Sequence, residues 1–140
     1  LRLVAARSHT GALILDDTYN AAPESMLAAL NLLDELDGRK IAVLGDMLEL
    51  GQYERQGHEM VGMRAAQVAK VLITLGTRGH MIAEAARRAG MKPSSILEYE
   101  DIAPIVDWLM KNLNSNDAVL IKGSHGLRMD RIAAALEVRS

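Results

Sequence analysis

Short apolar runs alternate with segments of helical periodicity along the whole chain. Runs of four to six residues rich in Ile, Leu and Val, bounded by glycine or charged residues, are typical of buried strands. They predict strands at Leu1–Ala6, Ala12–Asp16, Ile41–Leu44, Val71–Leu75, Ser95–Tyr99 and Ala118–Ile121. Only the Ser8–Gly11 turn separates the first two runs, so we expect them to pair antiparallel.

Between the later strands, apolar residues recur every three or four positions, which predicts amphipathic helices. The first helix is expected from Pro23 to just before Gly38, and the last from about Leu127 onward. The three helices between them are expected at Tyr53–Ala69, Arg78–Ala89 and Asp101–Leu113. Alternation of strands with helices favours a parallel sheet covered on both faces. The sequence therefore predicts an α/β fold: one Rossmann-like three-layer αβα domain over residues 1–140, mostly parallel, with an antiparallel N-terminal strand.

Polar clusters follow the predicted strands. Right-handed crossovers place the carboxyl ends of parallel strands at one edge of the sheet, where open α/β folds bind ligands. The clusters that should meet there are Asp16–Asn20, Gly45–Glu49, Gly76–Arg78 and Lys122–His125. Their convergence predicts a site without naming its ligand.

The first cluster offers chemistry for a nucleotide or a metal. Asp17 could accept hydrogen bonds from a ribose diol, hold Mg²⁺ through its oxygens, or simply support the positive end of the following helix. Tyr19 and Asn20 could flank a planar base, the alternatives being a half-buried tyrosine and an Asx turn.

The second cluster is a loop between a strand and a helix. Asp46 could cap the following turn. Glu49 has no structural partner that the sequence suggests, so a role facing a substrate is plausible for it. His58, a short way on in the next helix, could orient this loop or be an ordinary exposed histidine.

The last cluster could hold an anion. Lys122 supplies charge, Gly123 lets backbone approach a ligand, and Ser124 and His125 lie where helix N–H groups favour carboxylate or phosphate. The alternative is a plain strand-to-helix turn with Ser124 as its cap.

Composition narrows the function classes. The net charge is -2 and there is no cysteine, which argues against a nucleic-acid partner, a disulfide framework and a thiolate metal site. The histidines lack metal-ligand spacing, so we expect no metal site on them. No apolar stretch suggests membrane insertion.

Phosphate-binding glycine motifs are absent from the sequence, so any nucleotide phosphates would be held by another domain. The chain begins with Leu1 in the middle of a strand pattern, which we interpret as a piece of a longer polypeptide.

Three stretches together resemble the Mur ligases of peptidoglycan synthesis, and most closely the branch that adds D-Ala-D-Ala to UDP-N-acetylmuramoyl-tripeptide. They are Asp16–Met26, Val43–Gly51 with His58 after it, and Val119–Gly126 with Met129 and Asp130 after it. The Gly-Asp-Met-x-Glu-Leu-Gly spelling in the second stretch is specific to that branch.

The resemblance implies the C-terminal domain of a cytoplasmic three-domain ligase that uses ATP and Mg²⁺. In that family ATP phosphorylates the tripeptide carboxylate, and the amine of D-Ala-D-Ala attacks the acyl phosphate. Phosphates and metal would be held mainly by a central domain, over which the C-terminal domain closes as a lid. Its partners would be those two substrates and its own N-terminal and central domains, and this domain alone would show no turnover.

Carried over by position, the resemblance implies that Asp17 meets the ATP ribose and that Tyr19 and Asn20 lie near the adenine. The dipeptide and acyl-phosphate side would face Asp46, Glu49, Lys122, Gly123, Ser124 and His125.

Two positions depart from the family pattern. Ala22, the expected helix cap, stands where the family often has Asn, which removes a cap worth about 1 kcal/mol. His125 stands where the family often has Arg, which removes a permanent charge.

Two other classes of protein share parts of this pattern. A receiver-type phosphoacceptor domain also has an acidic pair, a later Asp and a final Lys, here Asp16-Asp17, Asp46 and Lys122. The short separation of Asp17 from Asp46 argues against it. The remaining alternative is a non-enzymatic Rossmann-like binding module, which would bind a nucleotide tightly by itself.

Overall fold

The alternating pattern folds into one six-stranded sheet. The computed structural model describes residues 3–137. Its strands are β1 Val4–Arg7, β2 Leu13–Asp17, β3 Arg39–Gly45, β4 Val71–Leu75, β5 Ile96–Tyr99 and β6 Asp117–Lys122.

The strands lie in the order β1-β2-β6-β3-β4-β5. β1 pairs antiparallel with β2, and every other pairing is parallel, so the predicted fold class is confirmed. The last strand in sequence, β6, therefore lies between β2 and β3. This insertion makes the carboxyl ends of β2, β6 and β3 neighbours.

Five α-helices connect the strands: α1 Pro23–Asp34, α2 Glu54–Val68, α3 Gly79–Arg88, α4 Ile102–Asn112 and α5 Asp130–Leu136. Short 3₁₀ turns precede α2, β5 and α5, at Gly51–Tyr53, Pro93–Ser95 and His125–Leu127. The predicted elements are thus all present, with ends shifted by a few residues.

Two apolar cores lie on opposite faces of the sheet, as the three-layer prediction requires. Alternate residues of β3 separate them: Ala42 and Leu44 pack with α1, α2 and α3, whereas Ile41 and Val43 pack with α4 and α5. A strand buried on both faces reads as a continuous apolar run, which is why the sequence shows no alternation there.

Differences from the prediction occur at chain ends and turns. β1 begins at Val4, and Leu1 and Arg2 lie outside the described residues. The final helix does not begin at Leu127, because Arg128 adopts a left-handed backbone (φ 55°) that ends the 3₁₀ turn before α5 starts. Left-handed residues do not continue a helix.

Candidate functional site

The carboxyl edge of the sheet brings the predicted clusters together, three at the neighbouring ends of β2, β6 and β3 and the fourth through the contact of Arg78 with Asp46. Asp17 and Lys122 are directly paired in the β2–β6 register, and Leu44 pairs with Lys122 in the β3–β6 register. The sequence-based expectation that these strand ends converge is therefore met. What each side chain does at this edge differs from residue to residue.

Asp17 and Lys122 form a buried ion pair. The Lys122 Nζ donates to Asp17 Oδ2 over 2.8 Å and to the Asn20 carbonyl over 2.9 Å. Only 2% of the Lys122 side chain and 4% of the Asp17 side chain are exposed. The pair thus ties the ends of β2 and β6 to the turn that leads into α1.

This burial differs from the open ribose acceptor and anion-binding lysine that the sequence suggested. A charge in a dry site is stable only when it is paired, and here each residue satisfies the other. Direct contact of Asp17 with a ribose, or of Lys122 with an anion, stays a prediction that requires the pair to open.

Asp16, the carboxylate next to Asp17 in the sequence, points away from the ion pair. It accepts a hydrogen bond from the Thr18 hydroxyl over 2.8 Å. Partial burial raises the pKa of Asp16, and the nearby carboxylates of Asp130 and Asp17 act in the same direction, while the Thr18 hydrogen bonds oppose them.

The exposed rim of the edge carries Tyr19, Asn20 and His125. Tyr19 is 53% exposed, and its ring centroid lies 5.9 Å from that of His125 with the planes tilted by 47°. Asn20 is exposed too, and its Oδ1 accepts the Ala21 N–H over 2.8 Å. These side chains lie where a planar ligand could reach them from solvent.

The loop from Asp46 to Leu50 is held through its backbone. The Ser124 N–H donates to the Asp46 carbonyl over 3.0 Å, and the Leu48 N–H donates to Ser124 Oγ over 3.0 Å. The Met47 N–H donates to His58 Nε2 over 3.0 Å. Ser124 therefore ties two loops together and makes no side-chain cap on the turn that follows it.

Glu49 is the first residue beyond these ties. It adopts a left-handed backbone with φ 64° and is exposed. Within residues 3–137 its carboxylate takes part in no hydrogen bond or ion pair. A non-glycine residue in this backbone region is strained, and such strain often accompanies function.

Asp46 caps a distant helix instead of the following turn. Its Oδ1 accepts the Gly79 N–H at the start of α3 over 2.8 Å, and Oδ2 lies 3.5 Å from Arg78 Nη1. Arg78 also donates to Glu54 over 2.6 Å, which lowers the pKa of Glu54 and raises that of Arg78. Arg78 is a further cation of this edge; the sequence places its cluster after β4 but gives no signal for the role of Arg78 itself.

Glycines allow the strand ends to approach each other. A Cβ on Gly123 would overlap the Met129 sulfur and come within 3.0 Å of Gly45 Cα. A Cβ on Gly45 would lie 2.5 Å from the same sulfur. Gly123, predicted to approach a ligand, therefore packs here against the protein.

Two further observations apply to the described part of the chain. Residues 3–137 contain no group of three His, Cys, Asp or Glu side chains placed to hold a metal ion. No helix among those residues is long and apolar enough to cross a membrane.

Comparison with known proteins identifies the class to which this fold and edge belong. The family model described as "Mur ligase, glutamate ligase domain" matches residues 2–125. The chain therefore belongs to the Mur ligase family.

Within that family, the similar curated proteins are UDP-N-acetylmuramoyl-tripeptide–D-alanyl-D-alanine ligases. The chain is 34% identical to that of Bacillus subtilis over 97% of its length and 30% of the relative's. It is 33% identical to that of Escherichia coli over 89% of its length and 27% of the relative's. It thus spans under a third of the curated relatives it matches.

Solved structures of the same group of ligases are also similar to this chain. MurF ligase from Thermotoga maritima, in complex with ADP, aligns with a TM-score of 0.78 and 30% identity, over 93% of this chain and 29% of that one. MurF from Acinetobacter baumannii aligns with a TM-score of 0.79 and 27% identity, over 96% of this chain and 29% of that one. A receiver domain or a separate binding module is not favoured by these matches.

Proposed function

We propose that this chain is the C-terminal lid domain of an ATP-dependent ligase that adds D-Ala-D-Ala to UDP-N-acetylmuramoyl-tripeptide. The relatives that support this bear that activity in their names. The observation that carries it in this chain is the division of the carboxyl edge into a dry, internally paired base and an exposed rim. A lid needs such a rim because its ligands are shared with the domain beneath.

On the nucleotide side, the rim fits the nucleoside part of ATP better than its phosphates. Tyr19 offers an exposed ring for stacking and Asn20 an amide for hydrogen bonding to a base, the roles that the sequence suggested for them. Asp17 is paired with Lys122, which also donates to the Asn20 carbonyl, so this ion pair would orient the turn that carries Tyr19 and Asn20. Direct contact of Asp17 with the ligand would require the pair to open. When bound, ATP supplies the phosphoryl group that activates the tripeptide carboxylate. The central domain would hold most of the phosphates and Mg²⁺.

On the substrate side, Glu49 and His125 are the groups of this chain that extend toward solvent. The free Glu49 carboxylate can orient the amino group of D-Ala-D-Ala, and the His125 ring can donate to a carboxylate or phosphate oxygen. Asp46, Gly123 and Ser124 would shape this side by holding the loop. Lys122 would offer positive charge to this side only when its ion pair with Asp17 opens.

The remaining parts of the proposal concern the whole protein. Its partners would be the two substrates and its own N-terminal and central domains. We expect the whole protein to act in the cytoplasm. We expect this chain alone to catalyse no turnover, because other domains would hold the phosphates and the tripeptide.

A crossed pair of variants in the full-length protein tests this assignment. D-Ala-D-Ala-dependent phosphate release should be measured with Tyr19→Ala and Glu49→Gln. We expect Tyr19→Ala to raise the KM for ATP by about tenfold and Glu49→Gln to raise the KM for D-Ala-D-Ala by about tenfold, each leaving the other KM within about twofold.

Exposed Met110, on α4 away from this edge, gives a matched control as Met110→Gln. No D-Ala-D-Ala-dependent phosphate release from the unmodified protein would overturn the proposed activity. Equal effects of both rim variants on both KM values would overturn the division of the rim.

A further inference from the structure

His58 is a fully buried polar residue beneath the loop that carries Glu49. It lies in the first turns of α2, with none of its surface exposed. Both ring nitrogens have partners: Nε2 lies 3.0 Å from the Met47 backbone nitrogen, and Nδ1 lies 2.6 Å from the Glu54 carbonyl oxygen. The ring therefore joins the start of the helix to the loop.

These partners determine the tautomer of the ring. The Met47 N–H is a donor, so Nε2 must present its lone pair. The Glu54 carbonyl is an acceptor, so the proton is on Nδ1. His58 is consequently a neutral imidazole with one donor and one acceptor, both used, and an imidazolium has no acceptor for the Met47 N–H.

The contact with Met47 completes the backbone ties of the loop. Ser124 holds the Asp46 carbonyl and the Leu48 N–H from the β6 side, and His58 holds the intervening Met47 N–H from the α2 side. Glu49 follows at once with φ 64°. The direction in which the Glu49 side chain leaves the backbone is thus set by a peptide chain that is held from both sides.

We propose that His58 is a positioning residue: through the Met47 N–H it fixes the 46–50 loop and thereby orients Glu49. The kinetic part of this inference rests on the proposed function, whereas the hydrogen bond itself can be tested without activity. His58 is fully buried, so its effect would pass through the loop.

Two conservative substitutions separate the two hydrogen bonds of the ring. In His58→Gln, the side-chain carbonyl lies near the position of Nε2 and can still accept from Met47. In His58→Asn, the shorter amide lies near the position of Nδ1, so it can still donate to Glu54 but loses Met47. His9, an exposed histidine, gives the matched control His9→Asn.

Amide hydrogen exchange in the full-length protein tests the contact directly. We expect the Met47 amide to exchange at least about tenfold faster in His58→Asn than in His58→Gln, because a lost hydrogen bond of about 1.4 kcal/mol corresponds to a factor of ten. The amides of β6 should be unchanged in both. Equal Met47 protection in the two variants would overturn the proposal, whatever the activity.

Kinetics then test the consequence. We expect His58→Asn to raise the KM for D-Ala-D-Ala by about tenfold with the KM for ATP within about twofold, and His58→Gln to remain within about threefold for both. His9→Asn should match the unmodified protein. Equal losses in Asn and Gln variants would mean that His58 only fills space and would overturn its positioning role. A wild-type protein without activity would count against the proposed function alone, because the exchange result decides the contact.

Discussion

The two ends of β6 carry ion pairs of different character. At the amino end, Arg39 donates to both oxygens of Asp117 over 2.8 Å, and 34% of the Arg39 side chain is exposed. At the carboxyl end, Lys122 reaches one oxygen of Asp17, and both side chains are at least 96% buried. The same strand thus has at one end a pair open to water on its Arg39 side only, the Asp117 side chain being 0% exposed, and at the other end a pair that is dry on both sides.

The difference shows that this fold uses one ion pair to fasten its loops and the other to support the candidate binding site. The amino-end pair fastens loops, since Asp117 also accepts the Asn114 N–H and Arg39 donates to the Asn112 carbonyl. The carboxyl-end pair instead supports the turn that presents Tyr19 and Asn20. A rigid, dry base beneath an exposed rim holds the rim groups in place for binding.

Loss of the dry pair should have the largest effect on stability. Lys122→Met leaves the Asp17 carboxylate buried without its partner, which should lower the free energy of unfolding by about 3–5 kcal/mol. Urea unfolding of the chain measures this. The double variant Asp17→Leu/Lys122→Met should recover most of the loss, because no buried charge remains. A single-variant loss below about 1 kcal/mol would mean that water reaches Asp17.

Loss of the open pair should cost less. Arg39→Ala leaves the buried Asp117 with the Asn114 N–H and with water that enters where the partly exposed guanidinium lay, so we expect a loss of about 1–2 kcal/mol in the same urea experiment. Arg39→Lys, which keeps the charge but not the fork, should fall between Ala and the unmodified chain. A loss equal to that of Lys122→Met would remove the contrast between the two ends.

A smaller change, this time a gain in the free energy of unfolding, is expected from a substitution at Ala22, where α1 begins at the carboxyl edge. Ala22 has the extended backbone of a cap residue but no side-chain acceptor, while Ser25 Oγ already accepts the Ala22 N–H over 3.1 Å. Ala22→Asn should raise the free energy of unfolding by about 1 kcal/mol. Ala22→Leu is the control without an acceptor. No gain from Asn would show that this end of the crevice has no room for the cap.

The smallest effect should come from a partly exposed pair outside β6, His80 with Glu98, which gives a reference for pairs that water can reach. The hydrogen bond that His80 Nδ1 donates to the Glu98 carboxylate raises the pKa of His80 above its usual 6.5, against a smaller opposing effect of burial. The stabilisation is therefore fully present below the unfolded-state pKa and is lost as the pH rises through the folded-state pKa.

Thermal unfolding should detect this dependence. The unmodified chain should be slightly more stable than His80→Gln at about pH 5.5, and the two should converge above about pH 8. A constant difference between the unmodified chain and His80→Gln at both pH values would indicate a packing effect instead of ionisation.

Much of the fold could be predicted because its signals are local. The β3 run Ile41–Leu44 and the helical spacing after Pro23 each depend on neighbouring residues, and both elements formed where expected. The break at Arg128 could not be foreseen, because no glycine or proline marks it. Arg128 adopts this left-handed backbone with its guanidinium paired to Asp130.

The sequence by itself determined the strands, the helices and the edge at which the polar clusters meet. The tertiary structure decided which of those polar groups remain free. Lys122 meets Asp17 across 105 positions and Asp46 meets Gly79 across 33, because β6 lies between β2 and β3 and α3 starts beside the end of β3. Periodicity specifies which face a residue occupies, but whether a charge is paired depends on chain segments that only the fold brings into contact.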